Sequence, residues 1–230
     1  MCARVLGAAL RVLLGGATYP VELPASLSGR IKTLSLNEGA TPFICLLAAF
    51  KATLYLCTGN TDIIVTSPMA NRQRLKVESL IGFFATSVAL RTKFDEGASF
   101  RELLRNVRET ALGAYMRQAL PLEKVVEALS EETDLSEDPI GRVNFALLTF
   151  PVSQQEMGKL GSQMIDIEVG VASSDLSLTL WETSEGFKGN FNYSADTLDE
   201  EFVLRMAGQF QRLLQNVVSD PGQKLCNLNG

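Results

Sequence analysis

Residues 67–92, SPMANRQRLKVESLIGFFATSVALRT, carry a polar turn, Asn71-Arg72-Gln73-Arg74, between two apolar segments. The turn follows Ser67-Pro68, where a buried strand runs out, and apolar sequence resumes at Leu80-Ile81-Gly82-Phe83-Phe84. In a compact domain such an elbow, held by rigid elements on both sides, is where binding and catalytic groups tend to sit. The alternative is an ordinary solvated loop between two strands, and spacing alone favours the loop.

The chemistry available elsewhere is bounded by an omission: the chain has no histidine. Histidine is the commonest general base near neutral pH and the commonest metal ligand, so triads, HExxH sites and Cys/His zinc sites are excluded. The four cysteines, Cys2, Cys45, Cys57 and Cys226, form no CxxC pair. Cys45 and Cys57 fall on one apolar helix, which points to free thiols in a reducing cytosol rather than a metal or redox site. A Gly-rich phosphate loop and an EF-hand pattern are also missing.

With 230 residues, 46% apolar and 20% charged, the chain suits one large or two small folded domains with a substantial core. Its net charge is −5 and its Lys and Arg residues are scattered, so no footprint for nucleic acid is present. The opening MCARVLGAALRVLLGGA superficially resembles a signal peptide, but Arg11 interrupts the apolar run. What remains falls short of the roughly 20 residues needed to span a bilayer. Residues 1–17 read as a short helix or an atypical end, with no membrane partner and a cytoplasmic location; secretion is the minority reading.

The elements that must position the elbow alternate between helix and strand. Leu27, Ile31 and Leu34 predict a helix over 26–37 behind a Ser26 cap. Thr41 as cap and Pro42 at the first position open a stronger helix that is apolar nearly all round until Gly59, hence buried on most sides. Residues 62–66 read as an interior strand and 83–91 as a second, with Gly82 at its start. Ser99 and Glu102 form a capping box before a helix carrying Leu103, Leu104, Val107, Ala111 and Leu112. A further helix begins at Pro121. Strand 142–150 places Val143, Phe145 and Leu147 on one face and Arg142, Asn144 and Ala146 on the other, which faces either solvent or a cavity. Residues 165–171, 176–182 and 187–193 read as strands, the last two as a hairpin. Thr197 and Glu200 suggest a second capping box opening a long amphipathic helix through Val218, and Pro221 stops it. With no internal repeat or linker, the expected fold is one α/β unit: a two-layer sandwich with a mixed sheet of about five or six strands and helices mainly on one face.

The segments TPFICLLAAFKATLYLCTGNTDIIVTSPMANR, LIGFFATSVALRT, FRELLRNVRETALGAYMRQALPLEKVVEAL, TDLSEDPIGRVNFAL, SDLSLTLWE and RMAGQFQRLLQNVVSDP, taken in order, resemble the C-terminal lobe of condensation domains of nonribosomal peptide synthetases. The resemblance covers about residues 18–228. It implies a chloramphenicol acetyltransferase-like lobe, one of two similar lobes around a tunnel. Peptidyl carrier proteins bring a donor acyl thioester and an acceptor amine on 4'-phosphopantetheine arms, and an amide forms. The implied organisation is an atypical segment 1–17, the lobe 18–220, and residues 221–230 as the start of a linker towards an adjacent adenylation domain.

The resemblance also implies what is missing. The family's HHxxxDG motif belongs to the N-terminal lobe, and a chain without histidine carries no copy, so this chain has no catalytic residue, no metal and no directly bound cofactor of its own. Arg72, with Asn71 beside it, matches the arginine that pairs with the Asp of HHxxxDG; a bidentate pair would fix angle and distance there. Asp175 keeps the core of FDLSL, with Ser174 for Phe. Gly82, Phe83 and Phe84 match IGFFVNT, with Ala85, Thr86 and Ser87 in its second half. With Thr86 and Asn144 they are the implied tunnel-lining residues. Residues 117–123 resemble HQDLPFE and 133–140 resemble RDLSRNPL, both with changed charges. Three functions are compatible with this pattern: a lobe of an amide-forming enzyme active only with an N-terminal lobe, a non-catalytic relic that binds carrier proteins or a neighbouring domain, and, least favoured, a stand-alone acyltransferase.

Overall fold

The computed structural model describes residues 13–72, 80–117, 120–132, 140–148 and 170–228. Along the chain these form β1 (Leu13–Leu14), β2 (Gly16–Pro24), α1 (Ala25–Asn37), α2 (Pro42–Thr58), β3 (Asp62–Met69), β4 (Thr86–Lys93) and α3 (Phe100–Met116). There follow α4 (Leu122–Glu132), β5 (Val143–Leu148), β6 (Val171–Ala172), β7 (Leu176–Thr183), β8 (Gly186–Ser194), α5 (Glu200–Val217) and a 3-10 turn, Leu225–Leu228.

Strand alternation decides the layering. Six strands join in the order β2-β8-β7-β5-β3-β4, with β3/β5 and β5/β7 parallel and the other pairs antiparallel. β1 and β6 form a separate two-stranded ribbon. Val21, Leu23, Ile63, Val65, Val88, Leu90, Phe145, Leu176, Leu178, Leu180, Phe187 and Phe191 fall on one face and are all buried. That face is covered by helix. Phe50 of α2 lies 6.0 Å from the Phe145 ring and 6.1 Å from Phe191, while Phe210 of α5 meets Phe191 edge-on at 6.2 Å. α1 packs on β2 and β8, α3 on β4, and α4 meets the edge strand β4. Where β7 and β8 approach, a Cβ on Gly189 would collide with the Thr179 carbonyl oxygen, so only glycine fits.

The expected mixed sheet with helices on one face is the observed architecture, and α2 is its hub. Every residue from Ile44 to Leu54 is buried. Thr41 accepts from the Ile44 N–H at 3.3 Å, and Gly59 closes the helix at φ 72°. The capping box at Ser99 is present, with Glu102 accepting from the Ser99 N–H at 2.8 Å.

Local details differ from expectation. Residues 16–24 form a full strand that no sequence signal indicated; it pairs with β8 over its whole length. Helix α1 starts one residue before Ser26, behind Pro24, and no side chain caps it. β3 continues through Pro68 to Met69, and β4 starts at Thr86 rather than Phe83. At α5 the cap is Asp199, whose carboxylate accepts from the Phe202 N–H at 2.7 Å; Thr197 instead donates to the Ser194 carbonyl. Beyond Pro221 the chain returns to the core, where Leu225 and Leu228 are buried and the Leu225 N–H reaches the Ala98 carbonyl at 2.9 Å. The expected strand over 165–171 lies, but for its end, outside the described residues. Among the described residues no single helix is long and apolar enough to cross a membrane.

Candidate functional site

The elbow leaves β3 at Met69 and turns at Asn71, whose φ of 50° is left-handed, a conformation asparagine tolerates better than most residues. Arg72 folds onto the returning segment of its own loop. It donates to the Leu80 carbonyl at 2.7 Å and the Gly82 carbonyl at 3.2 Å, with its guanidinium carbon 4.7 Å from the Phe84 ring centroid. Gln73 and Arg74 lie outside the described residues. Around this clasp Leu80, Ile81 and Phe83 are exposed, Ile81 and Phe83 almost completely. Three large apolar side chains are thus exposed within four consecutive residues, a concentration of the kind that contact surfaces use.

The sequence-derived site residues do not all converge. Asn71, Arg72, Gly82, Phe83 and Phe84 gather past the end of β3. Thr86 pairs with Met69 and shares the facing of Val88 and Leu90, the helix-covered side. Asn144 pairs with Thr66 in mid-sheet on the opposite face. Asp175 precedes β7, at the other end of the parallel strands from Arg72. It accepts from Arg142 Nε at 2.5 Å and its carbonyl accepts from the Ser194 N–H at 3.0 Å, so it braces the starts of β5, β7 and the end of β8.

The face opposite the helices holds what sequence reasoning missed. Registers align Thr66, Asn144, Ser177, Asn192 and Thr18 in one row across β3, β5, β7, β8 and β2. The Thr66 hydroxyl donates to Asn144 Oδ1, Thr18 donates to Asn192 Oδ1 at 3.0 Å, and Ser177 donates to the Asn192 carbonyl at 3.4 Å. The next row is also uncharged: Ala146, Thr179, Asn190 and Pro20. Charge appears only at the ends of this surface. Arg91 makes a bidentate pair with Asp62 at 2.9 and 2.7 Å beside the Arg142–Asp175 pair, and Lys188 meets Glu22 at 3.7 Å at the other end. Each strand's alternation shows only its own polar positions; the register assembles them into rows.

Two features lie off this face. Lys51 is a fully buried cation of α2, donating to the Leu90 carbonyl at 2.6 Å, Thr92 Oγ1 at 2.7 Å and the Ile63 carbonyl at 3.5 Å. Burial pushes its ammonium down to about 7, against a smaller upward pull from the Asp62 charge. Cys57, Phe202, Leu204, Arg205, Gln209 and Arg212 line a cleft of about 420 Å³ beside α5. Burial raises the Cys57 thiol, and raises Cys45 to about 11, which keeps both protonated and poorly nucleophilic. Among the described residues no cluster of three or more carboxylates and cysteines could hold a metal ion.

A family model described as the condensation domain matches residues 14–229. A linear gramicidin synthase chain of Brevibacillus parabrevis is 40% identical over 214 residues, 91% of this chain and 3% of that protein. Phosphinothricin tripeptide synthetase PhsC of Streptomyces viridochromogenes is 32% identical over 214 residues, 93% of this chain and 20% of that protein. Among solved structures, the first condensation domain of the calcium-dependent antibiotic synthetase superposes with a TM-score of 0.78 at 19% identity, over 93% of this chain and 48% of that one. The X-domain from teicoplanin biosynthesis gives 0.77 at 23% identity, over 94% and 51%. The chain thus spans about half of these solved domains and a small part of the synthetases. At these identities the structures speak for the fold, and the family match and the relatives for descent: the chain belongs to the condensation-domain family.

Proposed function

We propose that the chain acts as the C-terminal lobe of a nonribosomal peptide synthetase condensation domain, contributing one wall of a site where carrier-bound substrates are joined through an amide. One observation carries the reading: the sheet face opposite the helices bears an uncharged hydrogen-bonding surface in a chain that contains no histidine. In the reaction, the acceptor amine attacks the donor thioester carbonyl. The C–N bond forms, the C–S bond breaks, the thiolate leaves on the donor arm, and the amine gives up a proton. No imidazole of this chain can take that proton. An N-terminal lobe bearing HHxxxDG would supply the base and the hydrogen bond that orients the amine, which together account for much of such a rate.

Within this scheme Arg72 clamps the Asp of that motif, exchanging its contacts with the Leu80 and Gly82 carbonyls for a bidentate carboxylate pair. Leu80, Ile81 and Phe83 become buried against the incoming lobe. The 4'-phosphopantetheine arms are part of the substrates, the partners are peptidyl carrier proteins and an adjacent adenylation domain, and the compartment is the cytoplasm.

The test is to mix the chain with a purified N-terminal lobe and loaded donor and acceptor carrier proteins, and to follow the amide product by mass spectrometry. Product is expected from the mixture and from neither lobe alone, and Arg72→Ala should lower its rate by about tenfold or more, the loss of one charge-assisted contact. The absence of both product and association would overturn the proposal. The absence of histidine also suits a second reading, a non-catalytic relic that binds carrier proteins; association with carrier proteins but no product with any N-terminal lobe would select it.

A further inference from the structure

We infer that the row Thr66, Asn144, Ser177, Asn192 and Thr18 is a seat for the backbone carbonyls of a peptidyl acyl group, with Asn144 and Asn192 as its donors; the inference rests on reading the chain as a condensation lobe. The row is arranged as a mirror about Ser177. On one side the Thr66 hydroxyl meets the Asn144 amide oxygen, with the Val143 carbonyl 3.3 Å away as its second acceptor, and on the other Thr18 gives its hydroxyl to that of Asn192. A planar carboxamide whose oxygen is engaged towards an outer strand turns its NH₂ the other way. Each asparagine therefore presents two N–H donors, which have no acceptor among the described residues, above the strand between them. That strand is β7, and Ser177 stands there with its own hydroxyl spent on the Asn192 carbonyl.

The spacing and charge of the row narrow what it can hold. Neighbouring strands are about 4.8 Å apart, so Asn144 and Asn192 sit roughly 9.6 Å apart, Cα to Cα, with donors directed into the gap. Acceptor oxygens belong there. A carboxylate or phosphate would find no cation in either central row, because Arg91, Arg142 and Lys188 stand at the ends and are already paired with Asp62, Asp175, Glu22 and Glu185. Neutral carbonyl oxygens match neutral donors without a desolvated charge. Both asparagines are half-buried, where a hydrogen bond competes less with water than at an open surface. One relative at 32% identity is a tripeptide synthetase, and a growing peptide carries such carbonyls. The donor group this lobe selects is accordingly peptidyl, an acyl group already bearing an amide, rather than a plain fatty acyl group.

The test uses the whole chain, labelled with ¹⁵N, and the side-chain NH₂ resonances of Asn144 and Asn192. Three probes are titrated: acetyl-Ala-Ala N-methylamide, pantetheine, and methyl hexanoate, which has no amide. The peptide should move both pairs of signals together, and Asn144→Leu and Asn192→Leu should each weaken its binding about 3- to 10-fold. Signals unmoved by the peptide overturn the inference. Equal movement by pantetheine also overturns it, since the seat would then read the carrier arm, and equal movement by the ester removes the role of the amide. No second lobe is needed, so peptide binding without amide formation in the two-lobe assay refutes the catalytic reading and leaves the seat standing. Amide formation with KM for peptidyl donors unchanged in both asparagine variants refutes the seat alone.

Discussion

Replacing Lys51 with methionine should abolish a pH dependence of stability that the fold builds in. The Lys51 ammonium is enclosed between α2, β3, β4 and α3, held by the Leu90 and Ile63 carbonyls and by Thr92 Oγ1, which also reaches Thr110 at 3.4 Å. Burial lowers its folded-state value from 10.5 to about 7, while the unfolded chain keeps the ordinary value. Between those two values the unfolded state binds the extra proton, so stability rises as the pH climbs from 7 towards 10.5 and is flat on either side. Integrated from pH 7 to pH 9, one such group contributes about 2 kcal/mol, or about 4 to 8 °C in Tm for a chain of this size. Methionine fills similar volume without a proton to bind. It also leaves the Leu90 carbonyl and the Thr92 hydroxyl short of a donor, at about 1 to 3 kcal/mol each, which offsets the desolvation it relieves. The level of stability at pH 7 therefore decides little, and the slope decides everything. Urea unfolding at half-unit intervals of pH from about 6.5 to 9.5, covering the lower part of the linkage window, should give a rising curve for the natural chain and a flatter one for Lys51→Met. The Cys45 thiol, raised to about 11, holds its proton more tightly in the folded state and so acts with the opposite sign above pH 9, but it is present in both proteins and drops out of the difference. Parallel curves for the two proteins would refute the assignment of the slope to Lys51.

Two further outcomes follow from contacts already described. The Ser67 hydroxyl is buried on the helix-covered face with no hydrogen-bond partner among the described residues, so Ser67→Ala should raise stability by about 1 to 2 kcal/mol, read as a higher urea midpoint at unchanged m. The apolar group Leu80, Ile81 and Phe83 should make the chain self-associate when no second lobe covers it; sedimentation velocity should show a concentration-dependent shift that Ile81→Asp with Phe83→Asp removes, and a monodisperse monomer at high concentration contradicts it.

What could be read from the sequence was local, and what escaped was set by partners far along the chain. Helix α2 was legible because its cap, its proline and its glycine stop all lie within one segment, as was the Ser99 capping box. Strand β2 was not, because GATYPVELP has two prolines and no clean alternation; it is a strand by virtue of nine pairings with β8. Lys51 was concealed for a related reason. One lysine in an apolar helix reads as an exposed position until tertiary packing closes over it. The polar row is the extreme case, since Thr18 and Asn192 meet across 174 positions.

Arg72 shows how far a motif can carry such a reading. Its residue type and its place after β3 are legible, but its partner is not, because a motif names a side chain and leaves its contacts to the surroundings. In this chain the guanidinium already has two carbonyl acceptors and an aromatic face within its own loop. A carboxylate arriving from a second lobe must displace contacts to a charged donor worth about 1.5 to 3 kcal/mol apiece, and in open water an ion pair returns less than that. The exchange becomes favourable only where water is excluded, and the exposed Leu80, Ile81 and Phe83 beside the clasp are the groups whose burial would exclude it. If the chain acts as proposed, arginine clamp and apolar rim would form one device, in which docking of the rim sets the dielectric that lets the clamp close.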